Sequence, residues 1–204
     1  MEQQHVVVQR DRILTPMVVL RPWSVEDAHE AFEIYGDPVV VRAIGRREPV
    51  ADLGEMRSVL EEWNLQSSQA PVPQGLWAVE AVDDGRLLGG ATLLPFSRRD
   101  PDLVMGWHLR PGARGHGVAG AIGHALAHQA FSVEEVDEVF VVAAEQNSAS
   151  HAVARRLGMN GVTRDWAYRD VRLEVLRMGR ADLHNARPGV SMGDTYNPVG
   201  VDDW

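Results

Sequence analysis

Apolar and polar positions along the chain change period several times, and each change marks an element. Met17–Arg21 is a short β-branched run that predicts a first strand. Ser24–Tyr35 predicts a helix, because Ser24 with Asp27 reads as a cap and an acidic first turn, and Gly36-Asp37-Pro38 stops it. Asp37–Ile44 predicts a further short helical turn. Across Val50–Asn64, Leu53, Met56, Leu60 and Trp63 recur at helical spacing. A loop with serine, glutamine and two prolines, Gln66–Gly75, follows. The period then drops to two: Leu76–Val82 predicts a strand, Asp83-Asp84-Gly85 a tight turn and Arg86–Phe96 the returning strand. A charged loop, Ser97–Asp102, leads to a strand ending Val104–Leu109, a helix over Val118–Phe131, a strand over Glu138–Ala143 and a helix over Ser148–Leu157. Two last strands fall near Gly161–Trp166 and Val171–Met178. Residues 1–16 read as a polar lead-in and 181–204, rich in Gly, Pro, Asn and Asp, as an extended tail that packs on the domain or reaches a partner subunit.

Composition narrows the class. At 204 residues, with 45% hydrophobic positions, the chain is long enough for one domain with a proper core. No apolar run approaches the ~20 residues of a membrane span, and the first residues lack a signal-peptide pattern, so a cytoplasmic protein is expected. The absence of cysteine excludes disulfides, thiolate metal sites and a cysteine nucleophile. A net charge of −9 argues against general nucleic-acid binding and mildly favours a cationic partner such as an amine. All basic residues are arginine, which excludes a Walker loop, since that loop needs a lysine.

The chemistry concentrates in Trp107–Gly120, WHLRPGARGHGVAG. A strand runs into Arg110-Pro111-Gly112, and Gly115 and Gly117 then open a helix. Glycines at such a turn let backbone N–H groups approach a ligand, and the helix N-terminus adds unpaired donors and partial positive charge. That combination suits a diphosphate; the alternative is a glycine-rich turn that merely starts a helix. Gly115-x-Gly117-x-x-Gly120 meets the spacing of a dinucleotide fingerprint, but no acidic residue follows at a strand end in the right place.

Arg114-x-x-Gly117-x-Ala119 resembles the (Gln/Arg)-x-x-Gly-x-(Gly/Ala) loop of the GNAT acyltransferase superfamily. Asn147-Ser148-Ala149-Ser150 followed by Leu157-Gly158-Met159 is similar to that family's second landmark. Leu20-Arg21-Pro22 with Asp27 resembles the opening of the branch that holds ribosomal-protein N-terminal acetyltransferases. The similarity spans roughly residues 18–180. It implies an α+β, three-layer fold with a mixed, mainly antiparallel sheet of six or seven strands flanked by helices. It also implies an acetyl-CoA cosubstrate, no metal, and a small-molecule or peptide amine as acceptor, with a homodimer as one expected assembly.

By the same resemblance the backbone of Trp107, His108 and Leu109 faces the pantetheine arm and supplies the oxyanion donor. Gly115, His116, Gly117, Val118, Ala119 and Gly120, with Arg114, hold the pyrophosphate, and Asn147 bonds the pantetheine arm. Asn147 reads equally as a helix N-cap, and Gly158 as a C-cap. The acid and base do not carry over: the glutamate that some members place five residues before the Asn is Val142 here, and the tyrosine seven residues after it is Ala154. Ser150 is the remaining candidate for protonating the sulfur, and Glu80 and Asp102 are candidates for the base. A non-catalytic acyl-CoA-binding protein, or a transferase of a larger acyl group, stays open beside an acetyltransferase.

Other constellations carry less. His124 and His128 stand at i, i+4, but no carboxylate lies between them and no third ligand suggests itself. No Gly-x-Ser-x-Gly elbow is present. Trp63, Trp77, Trp107 and Trp166 suit core or pocket wall, with Trp107 and Trp166 nearest the expected acceptor, and Arg98-Arg99-Asp100 suits a solvated loop.

Overall fold

A computed structural model describes residues 6–9, 11–38, 40, 48–97, 100–162, 167–168 and 171–185. In chain order the strands are β1 (Val7–Val8), β2 (Ile13–Leu14), β3 (Val18–Arg21), β4 (Gly75–Ala81), β5 (Leu87–Ser97), β6 (Asp100–Leu109), β7 (Glu138–Ala144), β8 (Asn160–Val162), β9 (Ala167–Tyr168) and β10 (Val171–Gly179). The helices are α1 (Ala28–Tyr35), α2 (Leu53–Gln69), α3 (Val118–Ala130) and α4 (Ser148–Arg156). The expected helical turn at Asp37–Ile44 lies largely outside the described residues, as do Arg98, Arg99, Trp166 and 186–204.

The α+β class and mainly antiparallel sheet agree with the pattern, but the sheet is wider than six or seven strands. The surplus comes from the lead-in: β1 and β2 form a small hairpin on β3, with Val8 opposite Ile13 and Ile13 opposite Leu20. Ile13 is buried, so the lead-in belongs to the sheet. Two-residue strands carry no readable period. The loop expected from Gln66 likewise begins later, because α2 runs on to Gln69 through a polar, largely solvated turn.

Strand order is β1-β2-β3-β4-β5-β6-β7-β10-β8, with β9 on β10. Alternation along the strands feeds two cores. On one face Trp77, Val79, Leu93, Met105 and Val141 pack under α3 and α4 through Ile122, Leu126, Ala154 and Leu157. On the other, Leu76, Ala78 and Leu94 pack against α1 and α2 through Tyr35, Met56 and Leu60. Among the described pairings only β6 with β7 is parallel, and a single register pair, Val104 opposite Phe140, joins them. Beyond Val104 the strand stays paired to β5 as far as Leu109 but has no register partner on β7. The sheet therefore splits between the C-terminal ends of two neighbouring strands.

The Leu-Arg-Pro opening has a structural cause. Arg21 forks onto Asp27, Nη1 to Oδ2 and Nη2 to Oδ1, each 2.8 Å, while its Nε donates to Glu80 at 2.5 Å. Asp27 Oδ2 also accepts the Ser24 N–H at 2.8 Å, closing the capping box before α1. The two carboxylates raise the Arg21 pKa further above its ordinary value, against the opposing effect of burial. One guanidinium thus locks β3, β4 and the start of α1 together. Asp27→Asn should cost about 1–3 kcal/mol, read as a lower urea midpoint at unchanged slope, since it leaves a part-buried cation half-paired. An unmoved midpoint would show that the fork contributes nothing.

Candidate active site

The glycine turn presents backbone at the start of a helix, a geometry that suits an anion. β6 ends at Leu109, a 3-10 turn covers Pro111–Ala113, and Gly115 (φ +78°) and Gly117 (φ +82°) both take left-handed backbone. These angles suit glycine and strain residues with a Cβ. Gly117 is the N-cap of α3 and offers no side-chain cap; the first turn of α3 holds no acidic residue. The first helical bond of the cap residue runs from the Ala121 N–H to the Gly117 carbonyl at 3.1 Å, which leaves the N–H groups of Val118, Ala119 and Gly120 without helical acceptors. A Cβ added at Gly112, Gly115 or Gly120 would meet nothing within 4 Å, so the surface beside these glycines is open. Arg114 is folded back, its Nε donating to the Leu109 carbonyl at 3.0 Å, and His116 Nδ1 lies 2.7 Å from the Arg114 carbonyl with its ring exposed.

This cradle sits beside the split. Because β6 and β7 are parallel, the starts of α3 and α4 that follow them lie at the same end of the sheet. Along β6, Trp107 packs with the α3 core, where its ring approaches Gly123, while His108 lies on the opposite face. Asn147 is buried and caps α4, its Oδ1 accepting the Ser150 N–H at 3.1 Å. The capping reading of Asn147 is thus realised at the mouth of the split.

The acid/base candidates from the sequence fare differently. Ser150 is half-buried in the first turn of α4, beside the split. Glu80 is not there: it stands two strands away on β4, on the face of α1 and α2, held by Arg21. The alternation of β4, with Leu76 and Ala78 on that face and Trp77, Val79 and Ala81 on the other, turns it that way. Asp102 lies before the Val104 pairing point, at the opposite end of β6 from the opening. Neither carboxylate is positioned as the sequence reading required. Val142 is half-buried on β7, and Ala154 is enclosed in the core.

The structure adds histidines that the pattern did not single out for proton chemistry. His108 Nε2 is hydrogen-bonded to the hydroxyl of the fully buried Tyr35. His151, also buried, holds Glu174 of β10 through Nδ1 at 3.1 Å, and its Nε2 has no partner among the described residues. His124 and His128 meet edge-on with ring centres 4.7 Å apart. Among the described residues no cluster of three His, Cys, Asp or Glu could hold a metal ion. A signal existed for His108, a histidine alternating with apolar strand residues, but its partner lies 73 positions away.

Burial pushes His108 down to about 4, and burial with the nearby His128 does the same to His124. The unfolded chain, with ordinary histidines, binds more protons between those values and about 6.5. Stability should therefore fall as pH drops from about 6.5 towards 4, by up to ~3 kcal/mol per imidazole. His124→Leu should remove its share and flatten the plot of urea midpoint against pH; an identical slope in the variant would overturn the assignment.

Residues 17–160 match the family model of the GNAT acetyltransferase domain. Among solved structures, the chain is similar to a protein described as a ribosomal-protein-serine acetyltransferase from Vibrio cholerae, at 16% identity and TM-score 0.68, over 85% of this chain and 99% of that one. An acetyltransferase from Agrobacterium tumefaciens is 21% identical with TM-score 0.66, over 88% of this chain and 100% of its own. The microcin C7 self-immunity acetyltransferase, solved with acetyl-CoA and AMP, is 11% identical with TM-score 0.67, over 80% of this chain and 93% of its own. At these identities the structural likeness speaks for the fold.

Proposed function

The chain belongs to the GNAT acetyltransferases, and from that premise we propose that it moves an acetyl group from acetyl-CoA to a primary amine by direct attack. The observation that carries this reading is the uncapped, acid-free start of α3, with two left-handed glycines, beside the β6–β7 split. Open amides from Gly115 to Gly120 suit the pyrophosphate, with Arg114 and His116 adjacent. The unpaired edge of β6 at Trp107, His108 and Leu109 suits the pantetheine arm, and one of its N–H groups the developing oxyanion. Asn147 and Ser150 flank the arm from α4. Bound there, the cosubstrate supplies an activated acyl carbon; the chain supplies orientation, which alone contributes several kcal/mol of barrier lowering.

A protein N-terminus and a small amine are the competing acceptors. The Leu20-Arg21-Pro22 opening and the similarity to the Vibrio cholerae protein favour the first slightly. Val142 and Ala154, where some relatives carry acid/base residues, support a second reading, an acyl-CoA-binding protein without turnover. We place the protein in the cytoplasm, as a single acyltransferase domain whose sheet takes in the lead-in and that forms a homodimer; sedimentation tests the last point. No described helix is long and apolar enough to cross a membrane.

The test is a titration of acetyl-CoA followed by thiol release with amino-terminal peptides and a panel of small amines. Binding with release identifies an enzyme and its acceptor class. Binding without release favours the binder, and no binding removes both. Propionyl- and succinyl-CoA on the same acceptor decide the acyl group.

A further inference from the structure

We propose that the His108 imidazole takes the proton from the attacking amine and that Tyr35 is its positioning residue, an assignment that rests on the acyltransferase reading above. His108 stands four residues beyond Val104, on the part of β6 that borders the split. Its ring meets the Tyr35 ring edge-on at 5.1 Å, and Nε2 bonds the Tyr35 hydroxyl. Tyr35 is in turn fixed by Trp63 at 5.0 Å and Trp23 at 5.9 Å between ring centres. Gly90, opposite His108 on β5, completes the seat: a Cβ there would collide with both the imidazole and the Tyr35 hydroxyl. A tyrosine, two tryptophans and a glycine from four segments thus set one part-buried imidazole in place.

Nδ1 of His108 has no hydrogen-bond partner among the described residues. In the tautomer this assignment requires, Nε2–H donates to Tyr35 Oη and the Nδ1 lone pair can receive a proton. The tyrosine keeps that hydroxyl protonated, since burial raises its pKa. Charged groups nearby answer to one another: Arg110, just after β6, pairs with Glu33 at 2.7 Å and Glu30 at 3.7 Å, both on α1. No carboxylate is seen against His108 among the described residues, which fits its low pKa.

A weak base suffices if the proton leaves late. The uncharged amine attacks the thioester carbon, a C–N bond forms, and the nitrogen becomes cationic and strongly acidic. Nδ1 takes that proton as the C–S bond breaks. The thiolate takes a proton from solvent and the imidazolium returns one to it, so amide and free thiol are the products. With its pKa pushed down to about 4 by burial, His108 is largely uncharged near neutral pH. The acid limb of kcat/KM should then follow the acceptor's own ionisation, with no limb near 6.5.

The experiment compares wild type, His108→Gln and Tyr35→Phe with acetyl-CoA and whichever panel amine the wild type acetylates. His108→Gln should lose at least ~100-fold in kcat while acetyl-CoA affinity stays within about twofold. Tyr35→Phe should lose about tenfold in kcat at unchanged KM, and shift the His108 ring titration, followed by NMR, further down. A His108→Gln enzyme within threefold of wild type, or an unmoved titration in Tyr35→Phe, overturns the proposal alone. If His108→Gln does not fold, Tyr35→Phe decides. A wild type that binds acetyl-CoA but releases no thiol with any amine sinks the acyltransferase reading, and this assignment with it.

Discussion

Gly117→Pro should weaken acetyl-CoA binding at least ~100-fold, about 2.7 kcal/mol, with the fold retained. Gly117 holds φ at +82°, whereas proline locks φ near −65° and removes the backbone N–H. The turn cannot keep its path, and the amides from Gly115 to Gly120 lose their common aim. Gly117→Ala separates strain from donor loss, because it keeps the N–H and costs only the roughly 1–2 kcal/mol of a left-handed alanine. It should bind about tenfold more weakly than wild type. Calorimetry on variants with wild-type circular dichroism checks both. A folded proline variant with undiminished affinity would mean that the phosphates lie elsewhere.

Arg180→Ala should be the most destabilising single change outside the two cores, at about 2–4 kcal/mol. Arg180 follows β10 and its guanidinium reaches back to the loop after α3. Nη1 donates to the Phe131 carbonyl at 2.6 Å; Nη2 donates to the carbonyls of Val133 at 2.5 Å, Val136 at 2.7 Å and Glu134 at 3.1 Å. The charge also lies 5.4 Å from the centre of the Phe131 ring. It lies at the negative end of α3, so its loss strands the Phe131 carbonyl there and three carbonyls of the loop beyond. For a chain of this size the expected fall in Tm is about 5–15 °C. Arg180→Lys should recover less than half, since an ammonium cannot reproduce a planar fork across several acceptors. A Tm within 1 °C of wild type in the alanine variant would show the clamp to be idle.

How much of this was legible from the residues follows the range over which each feature is decided. The β4–β5 hairpin, α3 and β7 fall within a residue or two of the expected bounds, because alternation and helical spacing are written in neighbouring positions. The cradle was legible for the same reason: its donors are backbone groups of one short turn. Asn147 shows the limit of local reading. Its residue type predicted both a cap and a ligand contact, and the structure shows the cap. For Glu80, alternation sorts β4 into two faces but does not say which strands border the opening. His108 and Tyr35 were beyond sequence reading as a pair, since only the register of β5 with β6 and the seat of α1 bring them together.

The residue order by itself determined the alternation of strands and helices, the glycine turn before α3 and the family. All three rest on interactions among near neighbours, where propensity, capping and glycine backbone freedom act. The tertiary structure alone decided where β6 parts from β7, which carboxylates are tied up by Arg21, and which imidazole stands at the opening. Those outcomes depend on strand register and on which face each side chain enters, and a side chain's proton affinity is set by the distant groups that bury it.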